Sequence, residues 1–200
     1  MKVRQLGQVF TPHKIVQRML QLRKNQGSIL EPSCGNGAFL TQLESTAIGL
    51  EVDPKVAHQQ SLRINFFDYD TKNTFNTIIG NPPYVAFKHI EKETKNKLRK
   101  DFDERTNLYV FFIDKCLDYL APGGELIFIT PRDFIKLTSA KHLNARLQKE
   151  GSFTHFYDLG DEMVFDGASP NCAIWRWEKD RKDKKTETND GARIFHCLDG

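Results

Sequence analysis

Apolar residues recur along this chain first at helical spacing and then at strand spacing. Over residues 12–24, Ile15, Val16, Met19, Leu20 and Leu22 fall on one side of a helix, with Pro12 in its first turn and Gly27 beyond its end. Strands are predicted over 28–31, 46–52, 61–67 and 75–79, with a helix over 38–44 after the first of them. A charged stretch, 88–105, interrupts the rhythm. The pattern then predicts an amphipathic helix over 108–120 closed by Ala121-Pro-Gly-Gly, a strand over 125–130, a helix over 138–149, and strands over 153–159 and 172–177. The clearest strands are apolar on both faces, as strands buried in a parallel sheet are. Alternation of this kind predicts an α/β domain with a doubly wound, mostly parallel sheet and right-handed crossovers. Ligands in such a sheet belong at the carboxyl ends of the strands.

The domain is expected over 1–178. Residues 179–191 are charged and nearly free of apolar side chains, which predicts a solvated loop or linker. Residues 192–200 open another strand-like run with nothing after it to pair with, so a further strand or domain, cut short, is expected there.

Charge and cysteine usage narrow the picture. A net charge of +3 over 200 residues supports no argument from global charge, but its distribution is uneven. No acid precedes Glu31, whereas Lys2, Arg4, Lys14, Arg18, Arg23 and Lys24 do. A phosphate-rich partner or a solvated helix face accounts for that bias. The stretch 88–105 mixes seven basic with five acidic residues. It reads either as a loop whose Lys88, Lys92, Lys95, Lys97, Arg99 and Lys100 reach phosphates or as a solvated helix. Cys34, Cys116, Cys172 and Cys197 show no metal-ligand spacing, which suits reduced thiols, a cytoplasmic setting and no bound metal. No signal peptide and no membrane-spanning apolar run are visible, so no membrane partner is expected. Oligomeric state is not legible.

Two constellations bear chemistry. At the end of the first strand, Glu31-Pro-Ser-Cys-Gly-Asn-Gly places an acid beside Gly35 and Gly37, which let the backbone turn tightly and approach a ligand. Glu51 ends the second strand, where an acid can accept from both hydroxyls of a ribose, and Asp68 ends the third, where it can accept from an adenine amino group. There is no GxxxxGK[ST] pattern, and Glu31 would repel a pyrophosphate. A carboxylate there suits a cationic nucleoside ligand, such as one carrying a sulfonium and an amino group.

The second constellation is Asn81-Pro-Pro-Tyr, at the end of the fourth strand. Prolines stiffen this loop and offer carbonyls without N–H groups. The Asn81 side-chain oxygen and the Pro82 carbonyl can together accept both hydrogens of a planar NH₂. That favours pyramidalisation and aims the developing lone pair at an electrophilic carbon, which is catalysis by positioning and electrostatics. Tyr84 supplies a face on which a flat substrate can stack.

With these motifs in this order, the chain resembles the catalytic domain of N6-adenine-specific DNA methyltransferases of restriction–modification systems, in the subclass whose cofactor motifs precede the catalytic one. The likeness runs from Gly7 to Trp177. It implies a seven-stranded, Rossmann-like class I methyltransferase sheet with one antiparallel strand, S-adenosylmethionine as cofactor, double-stranded DNA with a flipped adenine as substrate, and a cognate restriction endonuclease as functional partner. Gly7-Gln-Val-Phe-Thr-Pro matches the N-terminal cofactor motif, so Thr11 is implied to contact the methionine part. Glu31, Ser33, Gly35 and Gly37 are implied in the next motif, Glu51 as the ribose acid, Asp68 and Tyr69 as the adenine-contacting pair, and Pro83 as a further wall of the adenine site. Phe165, in Met163-Val-Phe-Asp-Gly-Ala, falls where the family carries an aromatic that stacks on the flipped base; a buried core aromatic is the alternative. Asn107 stands where the family often has an acid.

The tetrad also occurs in enzymes that methylate a release-factor glutamine amide or guanine N2 of ribosomal RNA. Those usually have Asp where Glu31 stands and lack the Gln8-Val-Phe-Thr-Pro stretch. A non-catalytic cofactor- or DNA-binding module and a piece of a fused endonuclease–methyltransferase are further alternatives. The family's sequence specificity resides largely in a separate target-recognition domain, which is not visible here, so weak or unspecific DNA binding is expected of this chain alone.

Overall fold

A computed structural model describes residues 10–160, 164–165, 171–183, 185–188 and, as backbone alone, 193–195. The described strands are β1 (Ile29–Glu31), β2 (Ile48–Gly49), β3 (Phe75–Gly80), β4 (Leu120–Pro131), β5 (Gly151–Asp158), β6 (Cys172–Lys179), β7 (Lys185–Thr188) and β8 (Arg193–Phe195). They form one eight-stranded sheet in the order β2-β1-β3-β4-β6-β5-β7-β8. Neighbours from β2 to β4 are parallel, as are β5 and β7, while β6 runs against β4 and β5, and β8 against β7. The doubly wound, mostly parallel sheet expected from the sequence is present.

Alternation along β4 explains the layering. Leu126 and Phe128 face one core, with Leu30, Ile78, Trp175 and Trp177, and are covered by α3 (Leu108–Asp118) and α4 (Lys141–Glu150). Ile127 and Ile129 face the other, with Ile29, Ile79 and Ile174, covered by Ile15, Val16 and Met19 of α1 (His13–Leu20). The Asn107 side chain accepts from the Tyr109 amide and caps α3, a role that Asn and Asp fill about equally well. Among the described residues no helix is long and apolar enough to cross a membrane.

Four expectations need correction. The helix expected over 38–44 is a single 3₁₀ turn at Leu40–Gln42, in a run of turns that starts at the Gly35 and Gly37 positive-φ positions. The strand expected over 61–67 reduces to one bridge, Leu62 to Leu50. Asn65 stops it, because its side-chain oxygen accepts from the Phe67 amide and its carbonyl from the Asp68 amide, closing a turn. The charged stretch 179–191, expected as a loop, contains β7, in which Thr186 and Thr188 are buried and Lys185 and Glu187 face outward. The strand beginning near 192 finds its partner in β7, and among the described residues β7 and β8 extend the expected mixed sheet to eight strands, β6 and β8 running against their neighbours.

Candidate cofactor cleft and catalytic tetrad

The carboxyl ends of β1, β2 and β3 open onto a cleft of about 1060 Å³, measured to its open mouth. This is where a doubly wound sheet places its ligands. From β1 come Glu31, Ser33 and Gly35, from the end of β2 Glu51 and Val52, and from β3 the loop that starts at Asn81. Phe10 and Thr11 approach from the strap that precedes α1.

Glu31 is 1% exposed. Burial raises its pKa well above the usual carboxylate range; a backbone hydrogen bond from Leu40 opposes this, and the charge of Glu51 adds to it. Its Oε2 atom is buried and meets no hydrogen-bond donor of the described chain. A buried carboxylate oxygen without a donor is costly, and a cationic group entering the cleft would match it. Glu51 is organised differently. Its two oxygens accept from the Gly35 and Asp53 amides, both at 2.9 Å, which fixes the carboxylate at the rim of the Gly35 turn.

That turn requires its glycines. Gly35 and Gly37 lie at φ +52° and +82°, where side chains other than glycine's are strained, and a Cβ on Gly37 would stand 2.8 Å from the His58 ring. Gly37 therefore shapes the loop from beneath and does not line the cleft. Cys34 does line it, but burial and then the nearby Glu31 charge push its thiol up to about 12, so it is a poor nucleophile.

The tetrad is joined to this loop. Ser33 Oγ donates to the Asn81 carbonyl at 3.1 Å, and the Asn81 side-chain amide donates to Thr11 Oγ1 at 3.2 Å. Asn81, Pro82 and Pro83 line the cleft. Tyr84 turns away from it: its hydroxyl donates to the Ile129 carbonyl at 2.8 Å and its ring meets the edges of Tyr109 and Phe165, at centroid distances of 5.8 and 6.5 Å. Phe165 is buried, in the core beneath α1. The structure thus brings Tyr84 and Phe165 together, with no gap for a base between them. The residues flanking Phe165 at 161–163 and 166–170, and Gly7, Gln8 and Val9 of the N-terminal motif, lie outside the described residues.

Asp68 and Tyr69 are not in the cleft. Asp68 is exposed and pairs with Lys97 Nζ at 2.6 Å, and the Tyr69 ring packs edge-on against Tyr119. Asn65, Phe66 and Phe67 take that wall instead, joined by Ile64, Val85, Ile90 and Phe112. The sequence carried a signal for this: apolar Leu62 and Ile64 alternate up to Asn65, a turn-forming residue that ends the strand three positions earlier than the acid does. The charged segment also reaches the cleft. Its short helix α2 (Lys92–Lys95) and the turn before it contribute His89, Ile90, Glu91 and Thr94 to the cleft wall. Of the six cations considered there for phosphates, Lys97 pairs with Asp68 and Glu93, and Arg99 with Asp101 and Asp114.

Comparison with known proteins gives consistent findings. Residues 15–165 match the family described as Eco57I restriction-modification methylase. The Type II methyltransferase M.HincII of Haemophilus influenzae is 34% identical over 187 residues, which cover 87% of this chain and 37% of that protein. M.TthHB8I of Thermus thermophilus, also a Type II methyltransferase, is 31% identical over 201 residues, 90% of this chain and 46% of its own length. The chain therefore spans less than half the length of these curated relatives. Among solved structures, the methyltransferase subunit of a type I restriction-modification system from Streptococcus thermophilus shares the fold at a TM-score of 0.63 and 16% identity, over 91% of this chain and 47% of that one. A DrdV–DNA complex does so at 0.68 and 15%, over 96% and 28%.

Proposed function

The chain belongs to the Eco57I restriction-modification methylase family, and from that premise we propose that it transfers a methyl group from S-adenosylmethionine to N6 of adenine in DNA, as the modification activity of a restriction–modification system. The observation that carries this reading is the joining of a cleft holding a buried, donor-free carboxylate oxygen to an Asn-Pro-Pro-Tyr loop.

The residues present fit the cofactor. Glu31 Oε2 offers charge complementarity to its cationic end, and Thr11, Ser33 and Gly35 line the cleft beside it. Glu51, held in place by two amides, is the acid that would accept from the ribose hydroxyls. Asn65, Phe66 and Pro83 form the nucleobase wall, in place of Asp68 and Tyr69. The cofactor supplies an electrophilic methyl carbon on sulfur. This chain's part is to hold and polarise the acceptor: the Asn81 amide nitrogen is held by Thr11, so its oxygen is the end that can accept from an NH₂, and the Pro82 carbonyl accepts the second hydrogen. Methyl transfer to that nitrogen would leave it with a proton to lose, which Asn81 and Pro82 would hold toward solvent, and no strong base would be needed.

A flipped adenine stacks on Tyr84, and its entry requires the Tyr84–Phe165 contact to open. Double-stranded DNA is the partner macromolecule, and a cognate endonuclease shares the biological role. Sequence recognition resides outside these residues.

The test is transfer of labelled methyl groups onto bacterial DNA, release factor and ribosomal RNA in parallel. The expected product is N6-methyladenine in DNA, lost on Asn81→Ala. Label in release factor alone reverses the assignment.

A further inference from the structure

α3 is almost wholly buried, yet it carries a lysine at position 115 whose ammonium is drawn inward. Lys115 Nζ donates to the Phe66 carbonyl at 2.6 Å and to the Tyr69 carbonyl at 3.0 Å. It lies over the rings of Phe66, Tyr119 and Phe67, at 4.9, 5.4 and 5.8 Å from their centroids. The Tyr119 hydroxyl donates to the same Tyr69 carbonyl at 2.6 Å.

These carbonyls end a single helical turn. The Asp68 and Tyr69 amides both donate to the Asn65 carbonyl, and the Tyr69 amide is shared with the Phe66 carbonyl at 3.2 Å. The Tyr69 carbonyl at that end takes its donors, Lys115 and Tyr119, from outside the turn, and a cation there also interacts favourably with the peptide dipoles. The turn is the piece of chain that stands where the expected third strand does not form, so it lacks the ladder hydrogen bonds a strand would have given it. Apart from the Lys115 and Tyr119 bonds, the described residues tie this turn to the rest of the fold by a neutral bond, Asn65 to Thr94, and the exposed Lys97–Asp68 pair. Burial lowers the Lys115 pKa, against the opposing effect of Cys116, Asp68, Asp70 and Asp118, as expected of an ammonium held for its contacts with the fold rather than with water.

We infer that Lys115 is a positioning residue for the nucleobase end of the cleft: by capping the 65–69 turn from α3, it fixes Asn65, Phe66 and Phe67 in the wall that receives the cofactor's adenine. The inference rests on the nucleoside-cofactor reading above. A different lysine environment, one open to solvent, would leave the wall to be ordered by the ligand at the expense of affinity.

The test compares Lys115→Met, which keeps an apolar stem and removes the donors, with Lys115→Arg, which keeps charge and donors. Amide hydrogen exchange of the free proteins is followed for peptides covering 64–70 and, as a control, 125–131. Binding of S-adenosylhomocysteine and of 5′-methylthioadenosine is measured by calorimetry. For Lys115→Met the expected result is exchange roughly tenfold faster in 64–70 with β4 unchanged, and both ligands weakened by the same factor of roughly ten. The equal factor arises because the methionine end, at Thr11 and Glu31, is untouched. Lys115→Arg should recover most of both effects. Unchanged exchange and affinity in Lys115→Met, or exchange accelerated throughout the chain, overturns the inference while leaving the function intact. A wild-type chain that binds neither ligand overturns the nucleoside reading and this inference with it.

Discussion

Replacing Glu31 with Gln should make the free chain more stable and its cofactor binding much weaker. In the free protein the carboxylate is 1% exposed, one oxygen accepts from the Leu40 amide, and Oε2 has no donor. A buried unmatched neutral group costs about 1–3 kcal/mol and a charged one more, so neutralising the charge should gain at least about 1 kcal/mol. At roughly 2–4 °C per kcal/mol for a chain of this size, melting should rise by about 2–4 °C or more at pH 8. The sign has a pH signature. Because the folded pKa is raised, the wild type is at full stability below the ordinary value of 4.5 and loses it as pH rises through the folded pKa. The Gln variant lacks that loss, so the two melting curves should converge in acid. Binding moves the other way. Removing one partner of a buried charge pair costs about 2–5 kcal/mol, a factor of at least about thirty in affinity. Calorimetry at pH 8 should show that loss for S-adenosylhomocysteine, which carries the ammonium, and little change for 5′-methylthioadenosine, which does not. Equal affinity of wild type and variant for S-adenosylhomocysteine, or a lower melting temperature of the free variant, would refute the reasoning.

Three more perturbations separate catalysis from architecture. Asn81→Ala should lower single-turnover methyl transfer by roughly a hundredfold or more, as removal of one transition-state hydrogen bond does, with cofactor affinity within a few-fold of wild type; calorimetry beside the rate assay reads both. Arg176→Met leaves Glu125 buried with its Arg176 bond, at 2.5 Å, gone and only the Lys24, Asn25 and Thr77 donors remaining. Breaking such a pair costs about 3–5 kcal/mol, so thermal melting should fall by roughly 6–20 °C. Phe165→Ala should cost about 3–5 kcal/mol, as for a core aromatic, and denaturant titration that finds less than about 1 kcal/mol would show that its buried seat is dispensable.

Both constellations were legible because their geometry is local. A strand end followed by Glu31-Pro-Ser-Cys-Gly-Asn-Gly fixes an acid beside a turn that only glycine can make, and Asn81-Pro-Pro-Tyr carries its acceptors in its own backbone and first side chain. The sheet's centre was legible for a similar reason: β3, β4 and β6 are apolar enough that no helix-period reading competes. What the pattern missed depends on long-range partners. The 61–67 run alternates like a strand, but Asn65 closes a turn that Lys115, fifty residues later, caps. β7 has no apolar side chain, so only its threonines, buried on pairing with β5, reveal it. Ile90 and Thr94 reach the cleft from a segment whose charges suggested only solvent or phosphate, because two apolar or small residues among lysines look incidental until the turn at 65–69 is in place.

The most direct test of the account is a crystal structure of the protein with sinefungin and a duplex carrying an extrahelical adenine. The account predicts the Asn81 side-chain oxygen and the Pro82 carbonyl each within about 3.2 Å of N6, with the Asn81 amide nitrogen still on Thr11 and the Phe165 ring displaced from Tyr84. An Asn81 amide turned away from N6, with the base held elsewhere in the cleft, would contradict it.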